Sequence, residues 1–204
     1  MDLLLLSTLI AVGAYILKSR EQRRRIALLG SHLGQYDIEK LMESLMQGYM
    51  RCLGEEDLAR REQIWSLLTT SERSLSDQFN RFASNFSKVD EVQTRLSKLP
   101  FLLPPIPLAD KLLAGANFDA RKAFEIHARG IESLTANRLQ QSSKARAFTL
   151  SAELFLMQHT CHWFCRSKTV ASARMLMRHK ISYALLLDSV SPDTRKAYRA
   201  LTGS

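Results

Sequence analysis

Residues 3–17 read LLLLSTLIAVGAYIL, fifteen positions without a charge, and are followed at once by Lys18, Arg20, Arg23, Arg24 and Arg25 with only Glu21 opposing them. No other segment constrains the fold as much, because a run that is apolar all round needs lipid or protein on every side. As a helix it is roughly 22 Å long, short of the ~30 Å hydrocarbon core of a bilayer. Snorkelling by Lys18 and Arg20, with local thinning of the bilayer, closes the gap.

Three readings compete for this run: a removable signal peptide, a permanent anchor and a buried helix of a soluble domain. A signal peptide carries positive charge before its apolar stretch and a small-residue cleavage site after it. Here the charges stand on the other side, and the small-x-small triplet Ala11-Val12-Gly13 lies inside the run. The expectation is therefore a single membrane anchor, with Leu3, Leu4, Leu5, Leu6, Leu9, Ile10, Val12, Tyr15, Ile16 and Leu17 as its lipid-facing residues. The basic flank Lys18, Arg20, Arg23, Arg24 and Arg25 places the amino terminus outside and the bulk of the chain in the cytoplasm, at the inner membrane if the cell is bacterial. No cysteine lies near the run, so lipid modification is not expected to assist it.

Behind the anchor the pattern is helical. The chain of 204 residues is 46% apolar and 24% charged, enough for one ordinary domain or two small ones. Residues 26–33 continue the anchor helix, with Gly30 and Gly34 against it. Ile38, Leu41, Met42, Leu45, Met46, Tyr49, Met50 and Leu53 then recur at i, i+3, i+4, i+7, after Asp37 as N-cap and before Gly54 as stop. Residues 55–69 read as a second helix, and Thr69-Thr70-Ser71-Glu72 has the form of a capping box that starts a third. Along that third helix Leu75, Phe79, Phe82, Phe86, Val89 and Leu96 keep an a/d rhythm, interrupted at Gln93, which points to a hairpin or a coiled coil. Three phenylalanines in the seam favour packing within the chain.

Pro100, Pro104, Pro105 and Pro107 make residues 100–107 an extended connector. Further helices are expected over 117–140, 143–165, 169–190 and 192–201, with Asn117, Ser143 and Ser191 as N-caps and Pro192 in a first turn. No segment alternates with period two, so no sheet is expected. Residues 147–165 are apolar enough to be weighed as a second span, but Glu153, Gln158, His159 and His162 favour a core helix. The expected class is all-α: a single transmembrane helix (anchor and flank, 1–25), then a cytoplasmic multi-helix bundle. Within the bundle, an amphipathic segment (26–99) and a basic helical segment (108–204) pack as one domain across the connector.

The net charge of +9 is unevenly spread. Residues 138–180 hold eight Lys or Arg against the single acid Glu153, a composition suited to an anionic partner. Arg166, Arg174 and Arg178 fall in one sector of a helix and are the candidate anionic-surface contacts, although Val170, Met177, Ile181 and Leu185 share that sector. Lipid headgroups rank above nucleic acid as the anion.

The only cluster with metal-ligand chemistry is His159, Cys161, His162 and Cys165, with a fourth ligand to be brought from elsewhere, such as His127 or His179. Against it, Leu150, Leu154, Met157 and Cys161 continue one apolar stripe, and the structural zinc spacings are absent. With Cys52 the cysteines number three, as expected of reduced thiols. No Walker loop, Gly-x-Gly-x-x-Gly, Gly-x-Ser-x-Gly or His-Glu-x-x-His motif occurs. The expected role is thus an interaction or scaffolding domain held by its anchor, with no cofactor. Its partners are membrane lipid and either another protein or a second copy. An anionic-surface binder and a metal-dependent protein stand as alternatives.

Overall fold

In the computed structural model, which describes residues 2–98, 115–138 and 140–203, the helix that begins in the apolar run does not end at the basic cluster. One helix, α1, extends from Asp2 to Leu33. At 1.5 Å per residue it is roughly 48 Å long, so the charges of residues 18–25 sit in mid-helix.

The amphipathic periodicity after it forms α2, Ile38–Leu53, which buries Ile38, Leu45, Tyr49 and Cys52 on one face. Asp37 occupies the N-cap position without bonding through its carboxylate, and its backbone N–H donates to Gln78 Oε1 at 2.7 Å. The two helices expected on either side of Thr69 are one, α3, Leu58–Phe86, capped by Asp57 Oδ1. The capping-box reading fails because both of its side chains are used elsewhere. Thr69 donates to Trp65 O, and Glu72 is buried against Tyr49 and Arg146.

The a/d rhythm is helical only to Phe86. Val89 falls in the turn before a short helix, α4 (Glu91–Thr94), and Leu96 lies in a strand, β1 (Arg95–Ser97). β1 pairs antiparallel with β2, Asn117–Asp119, in the register Arg95↔Asp119, Leu96↔Phe118, Ser97↔Asn117. The expectation of no sheet is corrected by this ribbon. Its strands are three residues long, and only Leu96 and Phe118 turn inward, too little to display a period of two.

Asn117 is consequently a strand residue, and Asp119 caps α5, Ala120–Thr135. Ser142 caps α6, Ser143–Cys165. The single helix expected over 169–190 is two, α7 (Lys168–His179) and α8 (Tyr183–Ser189). Lys180 stops α7 in a left-handed conformation, φ 56°, and Ser182 starts α8 by accepting the N–H of Leu185. Pro192 opens the last helix, α9, Pro192–Thr202.

The phenylalanine seam of α3 is filled from within the chain. Phe82 and Phe86 meet Phe124 of α5 edge-on with ring centroids 5.2 and 5.1 Å apart, and Phe86 also meets Phe164 of α6 at 5.9 Å. Trp163 packs edge-on to Phe118 at 5.0 Å and donates its indole N–H to Ser97 O. One hydrophobic cluster runs from Leu29 of α1 to Tyr198 of α9, so α1 contributes to the core only through its second half. The connector at 100–107 lies outside the described residues.

Candidate functional site

Among the described residues nothing covers the first half of α1. Leu3 is 85% exposed, and Leu4, Leu5, Leu6, Leu9, Ile10, Val12, Tyr15, Ile16 and Leu17 are exposed around the whole circumference. The two polar side chains within the run turn back on the helix: Ser7 and Thr8 both donate to Leu4 O, at 2.9 and 2.8 Å. That is how a hydroxyl is satisfied where no water is present. Among the described residues α1 is the one helix long and apolar enough to cross a membrane, with a mean hydropathy of 1.5 in its most apolar window. The 147–165 run, by contrast, buries Leu150, Leu154, Leu156 and Met157 in the core.

Just beyond the basic cluster α1 is fastened to the domain. Arg25 donates through Nε to Glu21 Oε1 at 2.8 Å and through Nη2 to Arg95 O at 3.0 Å, while its guanidinium lies 5.5 Å from the centre of the Phe164 ring. Its side chain is only 12% exposed, so it is not part of a free basic flank as expected from sequence. Lys18, Arg20, Arg23 and Arg24 do remain exposed. Arg166 donates to Gln22 Oε1, and one turn beyond Arg25, Leu29 is buried. These ties cross as 22 to 166 and 25 to 164, so α6 runs antiparallel to α1. Contacts of His162 with Arg174, His159 with Ser172 and Phe155 with His179 join α6 to α7.

The three candidate arginines are thereby separated. Arg166 lies between α6 and α7, before the reversal, and does not share a helix face with the other two. Arg174 donates from Nη1 to His162 Nδ1 at 3.1 Å, and Arg178 is exposed. Gln22 is roughly 8 Å along α1 from Leu17.

The His/Cys cluster is likewise dispersed. His159 is buried, shares a hydrogen bond with Ser172 Oγ and stacks on Tyr183 with centroids 4.6 Å apart. Burial pushes its pKa down to about 3, with Lys168 assisting. Cys161 lies against Met157 Sδ at 3.8 Å, and burial drives its thiol well above the usual range. The lone pair of His162 Nδ1 accepts from Arg174, and burial, then that guanidinium, lowers its pKa. Cys165 is also raised by burial. Among the described residues no three His, Cys, Asp or Glu side chains are grouped to hold a metal ion.

Two buried polar assemblies escaped the sequence reading. Tyr49 donates to Glu72 Oε1 at 2.6 Å, and Arg146 pairs with the other carboxylate oxygen at 3.2 Å, joining α2, α3 and α6. Glu153, the lone acid of the basic segment, is fully buried and accepts the N–H and the hydroxyl of Ser191, at 3.1 and 2.7 Å. It thus caps α9 from a distance, a favourable place for a carboxylate. Gly130 makes room for it: a Cβ there would lie 2.8 Å from Glu153 Oε2 and 2.4 Å from Thr194 Oγ1. Beside it His127 Nε2, Thr160 Oγ1 and Tyr198 Oη form a buried chain with 2.8 Å links. A lone acid in a basic run, and a Tyr and a Glu at core-facing positions, were the available signals. These groups hold helices together.

No protein-family model matches the chain, and no curated protein or solved structure matches it either.

Proposed function

We propose that this chain is a single-pass membrane-anchored protein whose helical domain is an interaction module presented on the cytoplasmic side, with the amino terminus outside. The observation that carries this reading is that α1 is one helix with two environments, bare and apolar over 3–17 and built into the core from Arg25 onward. Leaving the aliphatic side chains of the run in water costs on the order of 10 kcal/mol, as much as the whole stability of an ordinary domain. A bilayer removes that cost.

The exposed Lys18, Arg20, Arg23 and Arg24 sit where the positive-inside rule places the cytoplasmic flank. Arg166, held beside Gln22, stands near the headgroups. Lipid contact in this reading belongs to the flank and Arg166.

Alkaline carbonate extraction of membranes carrying the full chain tests the anchor. The wild-type chain is expected to stay with the lipid. The double substitution Leu6→Lys and Ile10→Lys, at roughly 3 kcal/mol per charge near the bilayer centre, is expected to release it. Release of the wild-type chain would refute the proposal.

A further inference from the structure

The helix α7 is apolar on two opposite sides. Ala171 and Met175 are buried against the domain, and on the far side Val170, Ala173 and Met177 form an exposed crest at i, i+3, i+7, with Met177 75% exposed. Arg174 and Arg178 line one flank of the crest and exposed Leu176 lies on the other. An amphipathic helix needs only one apolar side to fold against its own domain, so the second is left for something else.

The charge around the crest narrows what covers it. Glu153 is the only acid in residues 138–180, and it is buried beneath α9, so this stretch contributes no carboxylate to the surface. The next acid along the chain, Asp188 of α8, is paired with Arg199 at 2.8 Å and Arg195 at 3.8 Å. Among the described residues neither Arg174 nor Arg178 has a carboxylate partner.

A second copy docking α7 on α7 would bring four like-charged guanidiniums together. A bilayer is the weaker fit, because a crest of three side chains, Val170, Ala173 and Met177, offers it little apolar area to insert. Phosphate backbones have no use for an apolar crest at the centre of the contact. A helix with an apolar stripe and acidic edges satisfies both features at once, and the small side chain of Ala173 lets it approach to the 8–10 Å typical of packed helices.

We infer that the outer face of α7 is the docking surface of this module and that its partner is an acidic amphipathic helix of another protein. The inference rests on the interaction-module reading above and adds the surface and the chemistry of the partner. Arg174 and Arg178 steer and orient the acidic edge, and Met177 supplies the buried centre of the contact.

The test uses the full chain in phosphatidylcholine nanodiscs and a synthetic 21-residue helix with leucine at a and d and glutamate at e and g, beside a twin with lysine for glutamate. Wild-type protein is expected to bind the acidic helix and not the basic one. Met177→Glu and the pair Arg174→Glu, Arg178→Glu are each expected to weaken binding at least about tenfold. The pair Lys122→Glu, Lys144→Glu, two exposed cations elsewhere with the same change in net charge, is expected to leave it unchanged. Circular dichroism of each variant confirms that it is folded, and Met177→Ala, a milder truncation, is expected to weaken binding in the same direction. Failure of the wild-type protein to bind, or equal loss in the Lys122/Lys144 control, overturns the inference. Co-migration of the chain with the nanodisc reports the anchor separately, so an absent interaction with an intact nanodisc complex indicts the surface and not the anchor.

Discussion

Replacing Arg25 by alanine should uncouple the apolar half of α1 from the domain without unfolding the domain. The guanidinium hydrogen bond to Arg95 O, made by a charged group that is 12% exposed, is worth about 1.5–3 kcal/mol. The stacking over Phe164 at 5.5 Å adds about 0.5–1 kcal/mol. The ion pair with Glu21, also largely covered, adds about 1 kcal/mol or less. These terms share one side chain and do not simply add, so a net loss of about 2–4 kcal/mol is expected. All of it falls on the seam between α1 and the β1 and α6 ends. Local opening of residues 22–33 should therefore become roughly 30 to 1,000 times more frequent. Amide hydrogen exchange of the full chain in lipid nanodiscs measures this directly. Protection should drop over 22–33 and hold in α3 and α5, which are joined directly by Phe82 and Phe86 on Phe124. Arg25→Lys keeps the charge but loses the fork, so it should restore only part of the protection. Unchanged exchange over 22–33 in the alanine variant, or an equal rise throughout the domain, would refute the proposed seam.

Glu153→Ala should cost about 1–3 kcal/mol, because the N–H of Ser191 loses its buried acceptor, whereas Glu153→Gln retains an acceptor and should cost less; chemical denaturation distinguishes the two. Gly130→Ala should lose about 1–3 kcal/mol from overpacking against Glu153 and Thr194, a fall of roughly 2–4 °C in Tm per kcal/mol for a chain of this size. Burial lowers His127 and His159 to about 3, so between that value and their ordinary 6.5 the unfolded chain binds more protons than the folded one. Stability should accordingly be full above pH 6.5 and fall toward pH 3, by about 1.4 kcal/mol per pH unit for each histidine; urea midpoints of His127→Gln should show the shallower slope of one histidine.

What could be read from the sequence was what periodicity encodes. The apolar run, the face of α2, the phenylalanine seam and the start of α9 at Pro192 all appear where the spacing put them. The boundaries that failed were decided by tertiary partners. Thr69-Thr70-Ser71-Glu72 carries a sound local signal for a helix start, but burial of Glu72 with Tyr49 and Arg146 outweighs it and the helix runs on. The break at Lys180 carried no Gly or Pro, and β1 and β2 are held by Leu96 and Phe118 reaching the core, not by an alternating pattern. The sector holding Arg166, Arg174 and Arg178 dissolved for the same reason, because the chain reverses between the first and the second. Arg25 looked like one cation among five, and only the fold shows that it alone among them is turned inward.

The most direct measurement is a spin label walked along residues 3–28 of the full chain in bilayers, in a background with Cys52, Cys161 and Cys165 replaced, recording collisions with oxygen and with a water-soluble relaxer. Oxygen should dominate at every position over 3–17, the water-soluble relaxer should take over across 18–24, and both should fall together at Arg25 and Leu28, on the side of α1 that faces the domain, while exposed Ile26 and Ala27 stay open to the water-soluble relaxer. Access of the water-soluble relaxer recurring with a helical period within residues 3–17 would mean that this run lies on a surface and does not span the bilayer. The single helix shared by membrane and domain would then be wrong.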